Sequence, residues 1–175
     1  MKFKFLIIPF CILFYSCSHL NEFGARRNSF SFEKIKPKVS DEVFKIIDTT
    51  KLYKVEYAEH INDTIVRLES EKNYKTNQTY LKFYSNGRVG EFRNVDLNNP
   101  ETLNPKRAES FLYSFKKGKL IMQVYFKHPQ CGECFVKKEI IKTSENQIVA
   151  INGDFKYTFT KIDIPENYLT YKPDW

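Results

Sequence analysis

The stretch TYLKFYSNGRVGEF, residues 79–92, contains the clearest structural signal in the chain. Leu81 and Phe83 lie two residues apart, so they point to the same side of an extended strand. Asn86 and Gly87 follow, and these two residue types tolerate the positive φ that a tight hairpin turn requires. The stretch therefore predicts two antiparallel strands joined by a short turn.

The same pattern continues towards the C-terminus. Apolar residues alternate along 110–116 and 119–126, and Gly118 lies in the turn predicted between these runs. Asn152 and Gly153 give a second hairpin signal. Aromatic residues make up 16% of the sequence, which favours strands. We predict a mainly all-β fold: an antiparallel meander of about eight strands that closes into a barrel or packs as a β-sandwich.

One short helix is predicted before the strands. Ser40 is a residue type that caps helix N-termini, and Asp41 and Glu42 suit the first turn of a helix. Val43 and Ile47 then supply apolar residues at a helical spacing. From about residue 50 onward the apolar pattern changes to that of strands.

The N-terminal sequence MKFKFLIIPFCILFYSC predicts an export signal. Lys2 and Lys4 form a short basic region, and an apolar run follows from Phe5 to Tyr15. This run is shorter than the ~20 residues that a membrane-spanning helix needs. Its length suits the central region of a cleavable signal.

The segment Phe14-Tyr15-Ser16-Cys17 resembles the lipobox of bacterial lipoprotein precursors. The resemblance implies that cleavage occurs after Ser16. It also implies that Cys17 becomes the new N-terminus and is acylated with fatty acids such as palmitate. Because Ser18 rather than Asp follows the cysteine, the sorting rules of that family favour the outer membrane. The expected location is the cell envelope, where the lipid attaches the protein to the membrane.

These features divide the chain into three parts. Residues 1–16 are the predicted signal peptide, residues 17–40 a polar tether, and residues 41–175 a single β-rich domain. The formal net charge is +7, and loss of Lys2 and Lys4 with the signal leaves +5. We expect no nucleic-acid partner, because the chain is exported and its basic residues are scattered along the sequence.

The β-rich part, about residues 50–162, resembles the small lipocalin-like lipoproteins of Gram-negative bacteria. The resemblance depends on the strand meander, on YLKFYSNGRVGEF and on the lipobox. It implies a cup-shaped barrel that holds a small, apolar ligand. The candidate lining residues are aromatic and alternate along the strands: Phe83, Phe111, Tyr113, Phe115, Phe126, Phe155, Tyr157 and Phe159. The alternative is that these rings interdigitate and fill the core, because lining and core residues alternate in the same way along strands.

The motif HPQCGEC, residues 128–134, permits three interpretations. Cys131 and Cys134 form an even pair in an oxidising compartment, and Pro129 and Gly132 favour a loop, so a disulfide that closes a turn is our prediction. The C-x-x-C spacing also occurs in thiol oxidoreductases, which need the first cysteine at a helix N-terminus. His128 and the two cysteines could contribute ligands to zinc, but a structural zinc site needs four.

The function predicted from the sequence is therefore binding rather than catalysis. No catalytic or cofactor motif is present, so we expect neither an enzyme nor a bound cofactor or metal. The first hypothesis is an anchored barrel that binds a small apolar ligand. The alternative is a structural or accessory subunit that docks on a protein complex of the envelope. A thiol-based redox enzyme is the third hypothesis.

The lipobox assignment makes a direct prediction. Cells grown with a labelled fatty acid should incorporate the label into the wild-type chain and not into the Cys17→Ser variant, because only the thiol of Cys17 can accept the lipid. Retention of the label by Cys17→Ser, measured on the purified protein, would contradict the assignment.

Overall fold

The barrel accounts for most of the structured chain. The computed structural model describes residues 18–28, 35–61, 78–128, 130 and 132–175. Two short strands come first, β1 (Ser18–Leu20) and β2 (Arg26–Asn28). The barrel strands follow in chain order: β3 (Leu52–His60), β4 (Thr79–Phe83), β5 (Arg88–Arg93), β6 (Glu109–Lys116), β7 (Lys119–His128), β8 (Gly132–Lys142), β9 (Gln147–Asn152) and β10 (Phe155–Ile162).

Each barrel strand pairs antiparallel with the next strand in the chain, and β10 pairs with β3 to close the barrel. The predicted all-β meander of eight strands is therefore confirmed, and of the two architectures considered it is the barrel that forms. The turns also follow the prediction, because Gly87, Gly118 and Gly153 all adopt positive φ. The apolar residues Ile65, Val66 and Leu68 predict a further strand after β3, and they lie outside the described residues.

The register of the strands determines which side chains face the interior. Directly paired residues in an antiparallel sheet point to the same face. Leu81 pairs with both Tyr53 and Glu91, so all three point inward together. Residues at alternate positions, such as Leu52 and Tyr80, point outward and belong to a separate apolar cluster.

The segment before β3 closes one end of the barrel, which we call the closed end. Val43 and Ile47, exposed by 0% and 1%, pack among the inward residues Tyr53, Leu81 and Phe83. The predicted short helix is a single 3-10 helix, Asp41–Lys45. Ser40 precedes it but its side chain makes no capping hydrogen bond, so the predicted cap is wrong. This segment is held by tertiary packing rather than by its own capping.

The hairpin turn after β4 contacts the closing segment directly. Gly87 has φ +84, and a Cβ there would lie 2.5 Å from Cβ of Pro37. Only glycine therefore satisfies both the turn and the close approach. The backbone N–H of Phe115 donates to the carbonyl of Lys38 at 3.0 Å, which attaches the segment to β6 as well.

A second apolar cluster covers the outer face of β3 to β6. The C-terminal tail crosses this face, with a 3-10 helix at Glu166–Thr170 and Trp175 at its end. Arg27 of β2 lies under this tail: its guanidinium donates to the carbonyls of Ala108 and Pro105 at 2.7 and 2.8 Å. The same group lies 4.9 Å from the Trp175 ring. The β1–β2 hairpin, in the segment predicted as a tether, thus packs on the barrel wall.

The connection between β5 and β6 is long, in keeping with its prolines and asparagines at Asn98, Asn99, Pro100, Asn104 and Pro105. It contains two 3-10 helices, Pro100–Leu103 and Pro105–Arg107. Asn99 and Asn104 cap them by accepting hydrogen bonds from the backbone N–H groups of Glu101 and Lys106. The loop is therefore ordered by its own asparagine and proline residues.

Lys82 on the outer face of β4 is only 7% exposed, and its ammonium donates to the carbonyls of Thr49 and Phe83. Burial lowers the pKa of Lys82 from 10.5 to about 8. The folded chain therefore loses this proton before the unfolded chain does. Between these two pH values the unfolded state binds more protons, so Lys82 makes the free energy of unfolding rise with pH.

We predict that this rise, about 3 kcal/mol at most between pH 8 and 10.5, is absent from the Lys82→Met variant. The measurement is chemical denaturation of the two proteins at a series of pH values. Groups that titrate in both proteins cancel in the difference. The same pH dependence in wild type and variant would show that Lys82 stays charged in the folded chain.

Candidate functional site

The barrel interior has two halves that differ in packing. The half next to the closed end is filled by side chains that are at most 3% exposed: Tyr53, Leu81, Phe83, Val89, Phe111, Tyr113, Leu120, Met122, Ile140, Ile148, Ala150 and Phe159. Burial raises the pKa of both Tyr53 and Tyr113 to about 12, consistent with an interior from which water is excluded.

The other half is less completely buried. Val55, Val124 and Tyr157 point inward and pack against the core, yet they are only partly buried. Phe126, Cys134 and Val136 also face inward and are partly exposed. Solvent therefore reaches inward side chains from this end of the barrel. We call this less buried half the cup, or the open half, and its rim the mouth.

The eight aromatic residues predicted to line a ligand site all lie on the inner face. They do not share one environment. Phe83, Phe111, Tyr113 and Phe159 are packed into the closed half, and Phe115 lies near the closed end. Phe126, Tyr157 and Phe155 belong to the open half, where Phe155 is 45% exposed at the mouth. Ligand contact by any of them stays a prediction.

Inward-facing charged residues of the described strands were missed in the sequence, among them Glu91, Glu109 and Lys138. Glu91 and Glu109 pair directly across β5 and β6, and Lys138 pairs with the buried Met122 across β7 and β8. Their position could have been found from the strand alternation, because Lys138 lies between Val136 and Ile140 in the inward series.

Lys138 lies where the open half meets the packed core. Its Nζ atom is 3.7 Å from the centroid of the Tyr157 ring, which is a cation–π contact. Burial lowers the pKa of Lys138, and the Glu91 carboxylate partly offsets this effect. The cup therefore has a basic group at its floor and mainly apolar side chains on its wall.

The two glutamates line a cleft on one side of the mouth. This cleft has a volume of about 360 Å³, and the β1–β2 turn residues Phe23, Gly24 and Ala25 form its outer wall. Arg93 Nη2 lies 3.3 Å from Glu91 Oε1 at this edge, so the Glu91 charge has a local counter-ion. The cleft is polar, which distinguishes it from the apolar wall across the cup.

Apolar side chains are exposed at the mouth. Ile61 is 51% and Phe155 is 45% exposed, and the two positions adjoin because the N–H of Ile61 donates to the carbonyl of Asp154 at 2.6 Å. The rings of Phe155 and His60 meet edge to face at 5.1 Å. An apolar ligand entering the cup would meet these groups first.

Of the three cysteines for which we predict covalent chemistry, the structure describes only Cys134. Cys17 and Cys131 are outside the described residues, so lipidation and the disulfide stay predictions. Cys134 belongs to β8, which begins at Gly132. Because a strand rather than a helix follows the cysteine pair, the helix dipole that would activate a redox thiol is not available there.

The described part of the chain contains neither a membrane-spanning helix nor a cluster of metal ligands. None of its helices has the length and apolar character that crossing a bilayer requires. No group of three or more His, Cys, Asp or Glu side chains in it could hold a metal ion.

The comparisons with known proteins do not assign a family. No family model, no curated protein and no solved structure matches this chain.

The difference between the two halves of the barrel predicts losses of stability of different size for the same substitution. Val89→Phe should destabilise the protein by about 1–3 kcal/mol, because Val89 is 0% exposed in the packed half. Val124→Phe should cost less than about 1 kcal/mol, because Val124 is only partly buried. Chemical denaturation of both variants measures the difference. Equal losses of stability would show that the cup is closed.

Proposed function

We propose that this protein is an exported lipoprotein, anchored through Cys17, whose barrel binds one small, largely apolar ligand in its open half. The observation that carries the proposal is the partial exposure of inward apolar side chains at one end of a barrel whose other end is plugged. In the packed half, by contrast, the inward side chains are at most 3% exposed. The expected location, the outer membrane, follows from the lipobox and Ser18.

The dimensions of the barrel support this proposal. An interior of about eight strands is wide enough either to be filled by side chains or to hold one small ligand. In this barrel, side chains fill one half, and we propose that the ligand occupies the other half. The wall of the open half offers aliphatic and aromatic contacts from Val55, Val124, Val136, Phe126 and Tyr157, which is the usual lining of a small-molecule site.

An accessory role on an envelope complex remains the second candidate. Phe135 and Ile141 point outward from β8 and are 42% and 40% exposed. Apolar groups exposed on one strand are a feature of docking surfaces. This role requires no space inside the barrel, so a ligand-binding measurement separates the two candidates.

The proposal predicts saturable binding of a fluorescent fatty acid, cis-parinaric acid. The full chain, purified from membranes in a non-ionic detergent, should bind about one probe per barrel after the signal of protein-free micelles is subtracted. Val124→Phe should weaken binding by about tenfold or more, because the larger ring occupies the cup.

Gln123→Phe is the matched control, because Gln123 is the next residue on β7 and points outward. It should bind the probe as the wild type does. If the wild type shows no saturable binding, and no lipid is found by mass spectrometry of the purified protein, the accessory role takes the place of ligand binding. Equal weakening by both substitutions would place the probe outside the cup.

A further inference from the structure

The inward face of β8 carries a cation in an apolar series. Val136, Lys138 and Ile140 occupy successive inward positions, and their partners on β7 are Val124, Met122 and Leu120. Lys138 is thus the only charged residue among six. A charge in such a place is costly because water is partly excluded.

Lys138 has no ion-pair partner in the described chain. No hydrogen-bond acceptor or carboxylate there lies within contact distance of its Nζ atom, and the Tyr157 ring is its one close electrostatic contact. Two lysines on the outside of other barrel strands have carboxylate partners: Lys119 with Glu139 at 2.9 Å, and Lys156 with Glu59 at 3.3 Å. Lys138 is partly buried inside the barrel without such a counter-ion.

The groups around Lys138 do not neutralise its charge by direct contact. Glu91 acts on Lys138 only from a distance, and its own carboxylate is engaged by Arg93 at 3.3 Å. The Tyr157 ring covers one side of the ammonium and cannot neutralise it. An anionic group brought by a ligand would supply the missing hydrogen-bond acceptors in a low-dielectric setting, where such contacts are strong.

The position of Lys138 also orients the ligand. Its partner Met122 is buried in the packed half, so Lys138 lies at the floor of the cup. Towards the mouth the wall is apolar: Val124, Val136, Phe126 and then the exposed Phe155. An anionic head at the floor would leave the apolar chain along this wall, with its end at the mouth.

On the basis of the proposed function, we propose that the ligand is a single-chain amphiphile whose anionic head is a carboxylate or a phosphate. The head contacts Lys138 inside the barrel, and the apolar chain extends from there to the mouth. Neither a neutral amphiphile nor a purely apolar molecule would use this ammonium.

The test compares cis-parinaric acid with its neutral methyl ester on the full chain in non-ionic detergent. The wild type should bind the acid about tenfold or more tightly than the ester. Lys138→Met keeps the length and apolar stem of the side chain, and it should lose that preference while still binding the ester. Lys138→Arg, which retains the charge, should keep it. Displacement of the probe by dodecyl phosphate and by lauric acid then distinguishes a phosphate head from a carboxylate head.

Lys137→Met is the matched control, because Lys137 is the neighbouring residue on β8, exposed and outward-facing. It should keep the wild-type preference for the acid.

Equal affinity of the wild type for acid and ester would overturn the anionic-head inference and leave ligand binding intact. A folded Lys138→Met variant that still prefers the acid to the ester would overturn the inference in the same way. Failure of the wild type to bind either probe would instead refute the proposed function. The comparison of acid with ester on the wild type needs no variant, so it decides the matter even if Lys138→Met does not fold.

Discussion

The pairing of the last strand with the first barrel strand is the constraint on which the rest of the structure depends. β10 pairs with β3 from Ile162–Leu52 to Phe155–His60, with one register shift between Thr158 and Phe159. This pairing leaves the sheet without a free edge and fixes the width of the interior. It also assigns every strand residue to the inner or outer face. Without closure, neither the packed half nor the cup would be defined.

Closure alone would leave a tube, and the segment before β3 converts it into a cup. Val43 and Ile47 fill one end, and Pro37 packs on the Gly87 turn. The apolar core therefore concentrates at this end and supports the barrel, whereas inward side chains towards the other end are only partly buried. Lys138 lies at the boundary between the two halves, where its charge is partly desolvated.

The fold could be predicted from the sequence, but the candidate site could not. Alternation along 79–92 and the glycine turns identified the meander, because period-two burial and positive φ are local properties. The sequence could not tell which aromatic rings fill the core, since Phe83 and Tyr157 show the same alternation and differ only in their distance from the plug. Lys138 was missed because a lysine in a strand is usually solvated, and its inward direction follows from register. The 3-10 form of residues 41–45 was likewise set by packing against the barrel end, which overrode the helix signals at Ser40.

The central claim is that the open half holds an amphiphile with its head at Lys138. A crystal structure of the full chain with a fatty acid brominated at the end of its chain tests this directly, because anomalous scattering locates the bromine. We expect one bromine peak per barrel at the mouth near Phe155, with the carboxylate in contact with Nζ of Lys138. A bromine peak at the floor of the cup would contradict the orientation. Bromine only on the outer surface, with side chains filling the cup, would contradict the claim itself.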